Sequence, residues 1–133
     1  MKHILHMELI FSKLLTQTDI ERRLSVPTRI LYLFPYTATD HRCFDLQVKD
    51  TGDVVWSFRC IRRDGVYAKP VFSKGWLQFV YAKGLKAYDK IVVYKAKGVV
   101  EGDVPYRIEV KRKILRLMGE DIWIEIEHLH LYS

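Results

Sequence analysis

Two arginine doublets, Arg22-Arg23 and Arg62-Arg63, are the side chains of this 133-residue chain best suited to recognition chemistry. Each sits in a segment that reads as a loop between strands, where long side chains are free to project. A guanidinium is a planar fork that can donate two parallel hydrogen bonds to O6 and N7 of guanine, and each good bidentate pair is worth roughly 1–3 kcal/mol of base discrimination. Lys13, Lys69 and Lys74 carry compact charges that suit phosphate oxygens and would set register on a backbone rather than read bases. Taken one at a time, each of these cations reads equally well as a solvated surface charge. Charge distribution adds to the case: 22 Lys+Arg face 16 Asp+Glu for a net +6. No Lys or Arg lies beyond Arg116, where Glu120, Asp121, Glu125 and Glu127 follow, so the first 116 residues hold 22 bases against 12 acids, net +10. A basic body implies an anionic partner.

Other chemistry has weaker support. Glu109-Val-Lys111 puts a carboxylate and an amine on one strand face, which with Asp89 or Asp103 is an arrangement metal-dependent nucleases use. Alternating acids and bases are equally what an ordinary solvent-facing strand carries. His128 and His130 lack two further nearby ligands for zinc, and no motif supports a serine or cysteine nucleophile with a histidine partner. No catalysis, metal, cofactor or small-molecule substrate is expected. Cys43 and Cys60 show no CxxC spacing, are too few for a disulfide scaffold, and are expected as buried thiols in a reducing compartment. Phe44, Leu46 and Val48 alternate in one strand and Trp56, Phe58 and Cys60 in the next, which puts the two cysteines on opposite faces and argues against a bridge.

The elements that must hold these groups are short. Hydrophobic residues make up 49% and charged residues 29%, within the globular range, and the length suits a single domain. The longest uncharged stretch, Ile30 to Thr39, is half of the roughly 20 apolar residues a membrane-spanning helix needs, so no membrane association is expected. Met1 to Lys13 holds neither a sustained apolar core nor a small-residue cleavage site, which argues against a secretory leader and for a protein retained in the cell. Glu8 to Leu15 reads as a strand ending in a capped turn at Thr16-Gln-Thr-Asp19, and Pro27 opens a short helix, Thr28 to Leu33, that Pro35 closes. After a loop from Tyr36 to His41, Cys43 to Lys49 and Val54 to Arg62 form a hairpin around Asp50-Thr-Gly-Asp53, with Gly52 at the position expected to need a positive φ. A strand from Val66 to Phe72 precedes Ser73, the expected N-cap of a helix over Lys74 to Lys83 that buries Trp76, Phe79 and Val80 and stops at Gly84. Lys90 to Ala96 and Tyr106 to Lys113 are further strands, and Ile122 to Glu127 adds another. About seven short antiparallel strands with two helices must curl into a closed or nearly closed barrel to hide their edges.

In order along the chain, Leu9-Ile-Phe-Ser-Lys-Leu-Leu-Thr-Gln-Thr-Asp-Ile20, Arg23-Leu-Ser-Val-Pro27, Val55-Trp-Ser-Phe58, Lys74-Gly-Trp76 with Phe79-Val80, and Leu85-Lys-Ala-Tyr-Asp89 resemble the plant-specific B3 DNA-binding domain of transcription factors. The match spans residues 8–113 and is specific through the combination of its pieces. The resemblance implies a mainly β fold, a seven-stranded open pseudobarrel with two short α-helices, that binds double-stranded DNA by two loops clasping the major groove. It implies a non-enzymatic nuclear regulator of transcription. The family's first clasp maps to Asp19 through Pro27 with Arg22, Arg23 and Ser25 as its polar side chains. The second maps to Arg62, Arg63, Asp64, Tyr67 and Lys69, although Tyr67 reads on its own as packing. Family phosphate contacts fall on Lys13 and Thr16 in the opening strand and its turn, and on Ser73 and Lys74 near the Lys-Gly-Trp step.

Two departures stand out. The first clasp is about two residues shorter than in the better-known subfamilies, and Tyr88 occupies a tight turn where the family usually has glycine. Residues 114–133 lie outside the resemblance and are read as an acidic C-terminal extension. The run Lys111-Arg-Lys113 with Arg116 reads either as a nuclear-import signal or as a phosphate contact. Ile122 to Leu131 is apolar enough to be an exposed edge for a protein partner or a second copy, the reading that would apply if the clasps no longer bind DNA.

Overall fold

The computed structural model describes residues 7–33, 43–62 and 69–127. In chain order these form β1 (Met7–Leu14), α1 (Gln17–Glu21), β2 (Leu24–Ser25), α2 (Ile30–Leu33), β3 (Cys43–Lys49), β4 (Val55–Ile61), β5 (Val71–Phe72), α3 (Trp76–Lys83), β6 (Lys90–Ala96), β7 (Tyr106–Leu117) and β8 (Glu120–Glu125). Seven strands follow one path, β1-β6-β7-β3-β4-β5-β2, and β8 pairs with β7 beside it. All pairings are antiparallel except β3 with β7, which touch in parallel at Lys49 and Arg107 alone. The path does not close, because β1 and β2 do not pair, and the sheet curls instead around its own side chains. This is the expected mainly β open pseudobarrel, with β8 as an eighth strand. The expected boundary between Lys113 and Ile114 falls inside β7, and Ile126, just past β8, is wholly buried in the core.

An aromatic cluster fills the barrel. Phe58 stacks on Phe72 at 5.4 Å between ring centroids and meets Trp76 at 5.7 Å and Phe79 at 5.3 Å edge to face, while Phe11 contacts Phe72 at 6.3 Å. Such pairs add specific geometry to the area they bury. A β-bulge between Leu9 and Phe11 turns both Ile10 and Phe11 inward, against the alternation of a regular strand. Lys13, two residues on, therefore shares the inward face with Phe11 and is half-buried.

Several local expectations are corrected. Two helices are expected, and α2 and α3 lie close to those positions, but Gln17–Glu21 is a further helical turn inside the first clasp. Ser73 does not cap α3: that position belongs to Gly75 at φ 92°, and the Ser73 hydroxyl donates to Arg59 O at 3.3 Å. A Cβ on Gly75 would lie 2.1 Å from Ser57 O, so both the backbone angle and the contact with β4 require glycine. In the β3–β4 hairpin the positive φ falls on Asp53 (64°) rather than Gly52; aspartate tolerates that region better than most residues. Cys43 is half-buried, not buried, while Cys60 is buried and paired in register with Phe44, which leaves the two cysteines on opposite faces, both free. Burial, with Cys43 nearby adding to it, pushes the Cys60 thiol up to about 12, so it stays protonated and unreactive at neutral pH. Tyr88 does adopt the left-handed conformation, at φ 73°.

Candidate nucleic-acid interface

The strands that return from the two clasps, β2 and β5, pair with each other at one edge of the sheet. Leu24 and Ser25 of β2 pair with Phe72 and Val71 of β5, and Val26 N–H donates to Pro70 O at 3.0 Å. On the other side of β5, Ile61 of β4 pairs with Val71. Arg62, just after β4, and Lys69, just before β5, therefore stand at one end of the β4–β5–β2 ladder, and Arg23, just before β2, stands at the other, the end from which the chain leaves β5 for Ser73 and Lys74. Arg22, Arg23, Arg62, Lys69 and Lys74 are all exposed, and among the described residues none has a carboxylate within ion-pair distance. Arg63, Asp64 and Tyr67 lie outside the described residues.

The first clasp has an internal frame built on Asp19, which is 2% exposed. Thr16 caps α1 by accepting from Asp19 N–H at 3.2 Å, and the Asp19 carboxylate accepts from Thr16 N–H at 2.8 Å, a capping box closed within four residues. The same carboxylate accepts from Ser25 N–H at 3.3 Å and from Lys13 Nζ at 3.0 Å. Lys13 also donates to Ser25 O at 2.7 Å, and Trp76 Nε1 donates to Asp19 O at 2.7 Å. Burial disfavours the charge on Asp19, yet these donors outweigh it and hold its carboxyl below the usual carboxylate range. Entry and exit of the clasp are thus tied together beneath Arg22, which ends α1, and Arg23. Lys13, Thr16 and Ser25 are members of this frame, whereas the two arginines are exposed.

The remaining sequence candidates are placed as follows. Ser73 and Lys74 run beside β4, with Ser73 N–H donating to Arg59 O at 2.8 Å and Arg59 N–H to Lys74 O at 2.9 Å. The basic run near the C-terminus is engaged in part: Arg112 forks onto buried Asp89 at 2.9 and 2.8 Å and Lys111 lies 3.4 Å from Glu109, while Lys113, 3.9 Å from Asp121, and Arg116, which donates to Gly119 O, stay exposed. The acids considered for nuclease chemistry are likewise engaged, Asp89 by Arg112, Asp103 by Lys49 at 2.8 Å and Glu109 by Tyr94 Oη at 2.9 Å. Among the described residues no three His, Cys, Asp or Glu side chains gather to hold a metal, and no helix is long and apolar enough to cross a membrane. His128 and His130 lie outside the described residues. Sequence reasoning missed the role of Asp19 as the frame of the clasp; the Thr16-x-x-Asp19 spacing was the available signal, since it is that of a capping box.

An open β-barrel with exposed cations around its β4–β5–β2 ladder is the architecture of a small recognition domain. No protein-family model matches the chain. It is 31% identical over 100 residues to a B3 domain-containing protein of Oryza sativa subsp. japonica, covering 71% of this chain and 36% of that protein, so the chain spans about a third of that relative's length. Among solved structures it superposes on an Arabidopsis FUS3–DNA complex with a TM-score of 0.62 at 21% identity, covering 79% of this chain and 98% of that one. It superposes equally on the Arabidopsis thaliana transcription factor LEC2 in complex with DNA, with a TM-score of 0.63 at 18% identity over 81% and 96% of the two chains. The chain carries a B3 domain.

Proposed function

We propose that this domain binds double-stranded DNA sequence-specifically in the major groove and regulates transcription in a plant nucleus, without catalysis. The observation that carries the reading is the set of cations Arg22, Arg23, Arg62, Lys69 and Lys74, exposed and without acidic partners among the described residues, that flanks the β4–β5–β2 ladder joining the two clasps, with the first clasp held by the Asp19 frame. In this reading Arg22, Arg23, Arg62 and Arg63 address bases, with Asp64 and Tyr67 beside them on the second clasp. Lys69, Ser73 and Lys74 face the phosphate backbone. Lys13, Thr16 and Ser25 hold the first clasp in shape and reach phosphate only with donors the frame leaves over. The FUS3 and LEC2 structures, which are DNA complexes, supply the family precedent.

Fluorescence anisotropy tests the reading. Duplexes enriched from a randomised pool are titrated across a salt series with wild type, Arg22→Ala/Arg23→Ala and Arg62→Ala/Arg63→Ala. The enriched duplex is expected to bind on the order of a thousandfold tighter than random DNA, and each double variant to lose affinity and preference together. Weak, sequence-blind binding that neither variant changes would overturn it.

A further inference from the structure

Beside the clasps, the outer face of the barrel carries a groove of about 400 Å³ lined by Asp45, Ser57, Arg59, Lys74 and Gln78 among others. Arg59 lies on β4 directly opposite Asp45 on β3, and its Nε donates to Asp45 Oδ1 at 3.2 Å. The two backbone hydrogen bonds that join Arg59 to Ser73 and Lys74 place the arginine next to the lysine along this edge. Both members of the ion pair are well exposed, 41% and 56%, so water already screens their attraction and the pair separates at little expense. Arg59 also stands three residues before Arg62, about 10 Å along the strand from the second clasp.

We propose that Arg59 is a DNA phosphate contact held in reserve by Asp45, which stands in for phosphate while the protein is free. On engagement the guanidinium leaves Asp45 for a backbone phosphate seated over Lys74 and Gln78. A phosphate oxygen pair accepts the same fork as a carboxylate, so the exchange keeps the hydrogen bonds and adds the release of counterions from the duplex. Asp45 thereby weakens binding to every sequence alike and leaves discrimination between sequences to the clasps.

This inference rests on the DNA-binding reading above, and the experiment separates the two. Binding to one enriched duplex is measured across salt for wild type, Asp45→Asn, Arg59→Ala and the double variant, with Arg23→Ala as the clasp control and thermal melts confirming that each folds. Arg59→Ala is expected to reduce the salt slope by about 0.9, the contribution of one phosphate contact. Asp45→Asn is expected to raise affinity up to about fivefold, the worth of an exposed pair, and to lose that gain when Arg59 is alanine. A gain that persists in the double variant, or an unchanged slope in Arg59→Ala, overturns the proposal while sensitivity to Arg23→Ala leaves the function standing. Absence of DNA binding by wild type overturns both.

Discussion

The two ends of α3 carry the same chemical device put to different uses. At the N-terminal end Trp76 reaches Asp19, whose side chain, 3% exposed, holds Lys13 at 3.0 Å; at the C-terminal end Lys83 meets Asp50, again 3% exposed, at 2.6 Å. The Asp50 carboxylate also accepts from Gly52 N–H, Val54 N–H and Trp56 Nε1, each at 2.9 Å, and Lys83 continues to Glu127, which accepts from Thr51 at 2.5 Å. The second network uses all its charge internally and fastens the segment after β8 to the β3–β4 hairpin. The first does the same work on a loop yet leaves Arg22 and Arg23 outside it. A buried carboxylate with a half-buried lysine is therefore structural at both ends, and function lies in which cations the frame leaves over.

The largest effect should come from cutting each frame at its aspartate. Asp50→Ala strands the Lys83 ammonium and the Trp56 indole and is expected to lower unfolding free energy by about 3–5 kcal/mol in denaturant melts, with DNA affinity intact where the variant is folded. Asp19→Ala is expected to cost about 2–4 kcal/mol, combining the lost cap with the lost charge pair, and also to weaken DNA binding severalfold because the clasp is released. Equal loss of DNA affinity in both variants would erase the distinction between the two ends.

Acid should loosen both ends together. Burial raises the pKa of Asp19, Asp50 and Glu127, but hydrogen bonds and the lysines opposite outweigh it and leave all three below their ordinary values. A carboxyl depressed in the folded state adds stability that is complete above its unfolded value, near 4, and is lost as pH falls through the folded value. Lys83 is raised, its acidic partners outweighing burial, so its contribution is complete below about 10.5 and fades as pH climbs beyond. Denaturant midpoints measured against pH should form a plateau with both flanks, and Lys83→Met should lessen the alkaline one, to which the raised Cys60 thiol also contributes; a flat profile in wild type would contradict the networks.

Smaller changes sharpen the contrast. Glu127→Gln keeps the Thr51 hydrogen bond but loses the charge, with an expected loss of about 1 kcal/mol in thermal melts and unchanged DNA affinity. Tyr88→Gly removes left-handed strain from an exposed turn and should add about 0.5–1 kcal/mol of stability, again without touching DNA binding.

Much of the fold was legible because its signals are local. Alternation in Cys43–Lys49 and Val55–Ile61, the helical spacing of Trp76, Phe79 and Val80, and the stop at Gly84 each depend on neighbours a few residues away. Gly75 was visible only as part of a motif; that it must be glycine follows from Ser57 O, eighteen positions away in sequence. Ser73 looked like a cap by type, but its hydroxyl was taken by Arg59 O, a partner that appears only when β4 folds alongside.

By itself the sequence determined most of the longer elements, the basic balance of the first 116 residues and the arginine doublets, since residue type and spacing carry that information directly. Tertiary structure decided which cations stay available. Lys13, Lys83 and Arg112 are as basic as Arg23 or Lys74 in sequence, yet each is bound to a buried aspartate 6, 33 or 23 residues away. Strand pairing brings those aspartates into reach, and a charge that meets a buried carboxylate is spent on the fold before any partner can use it.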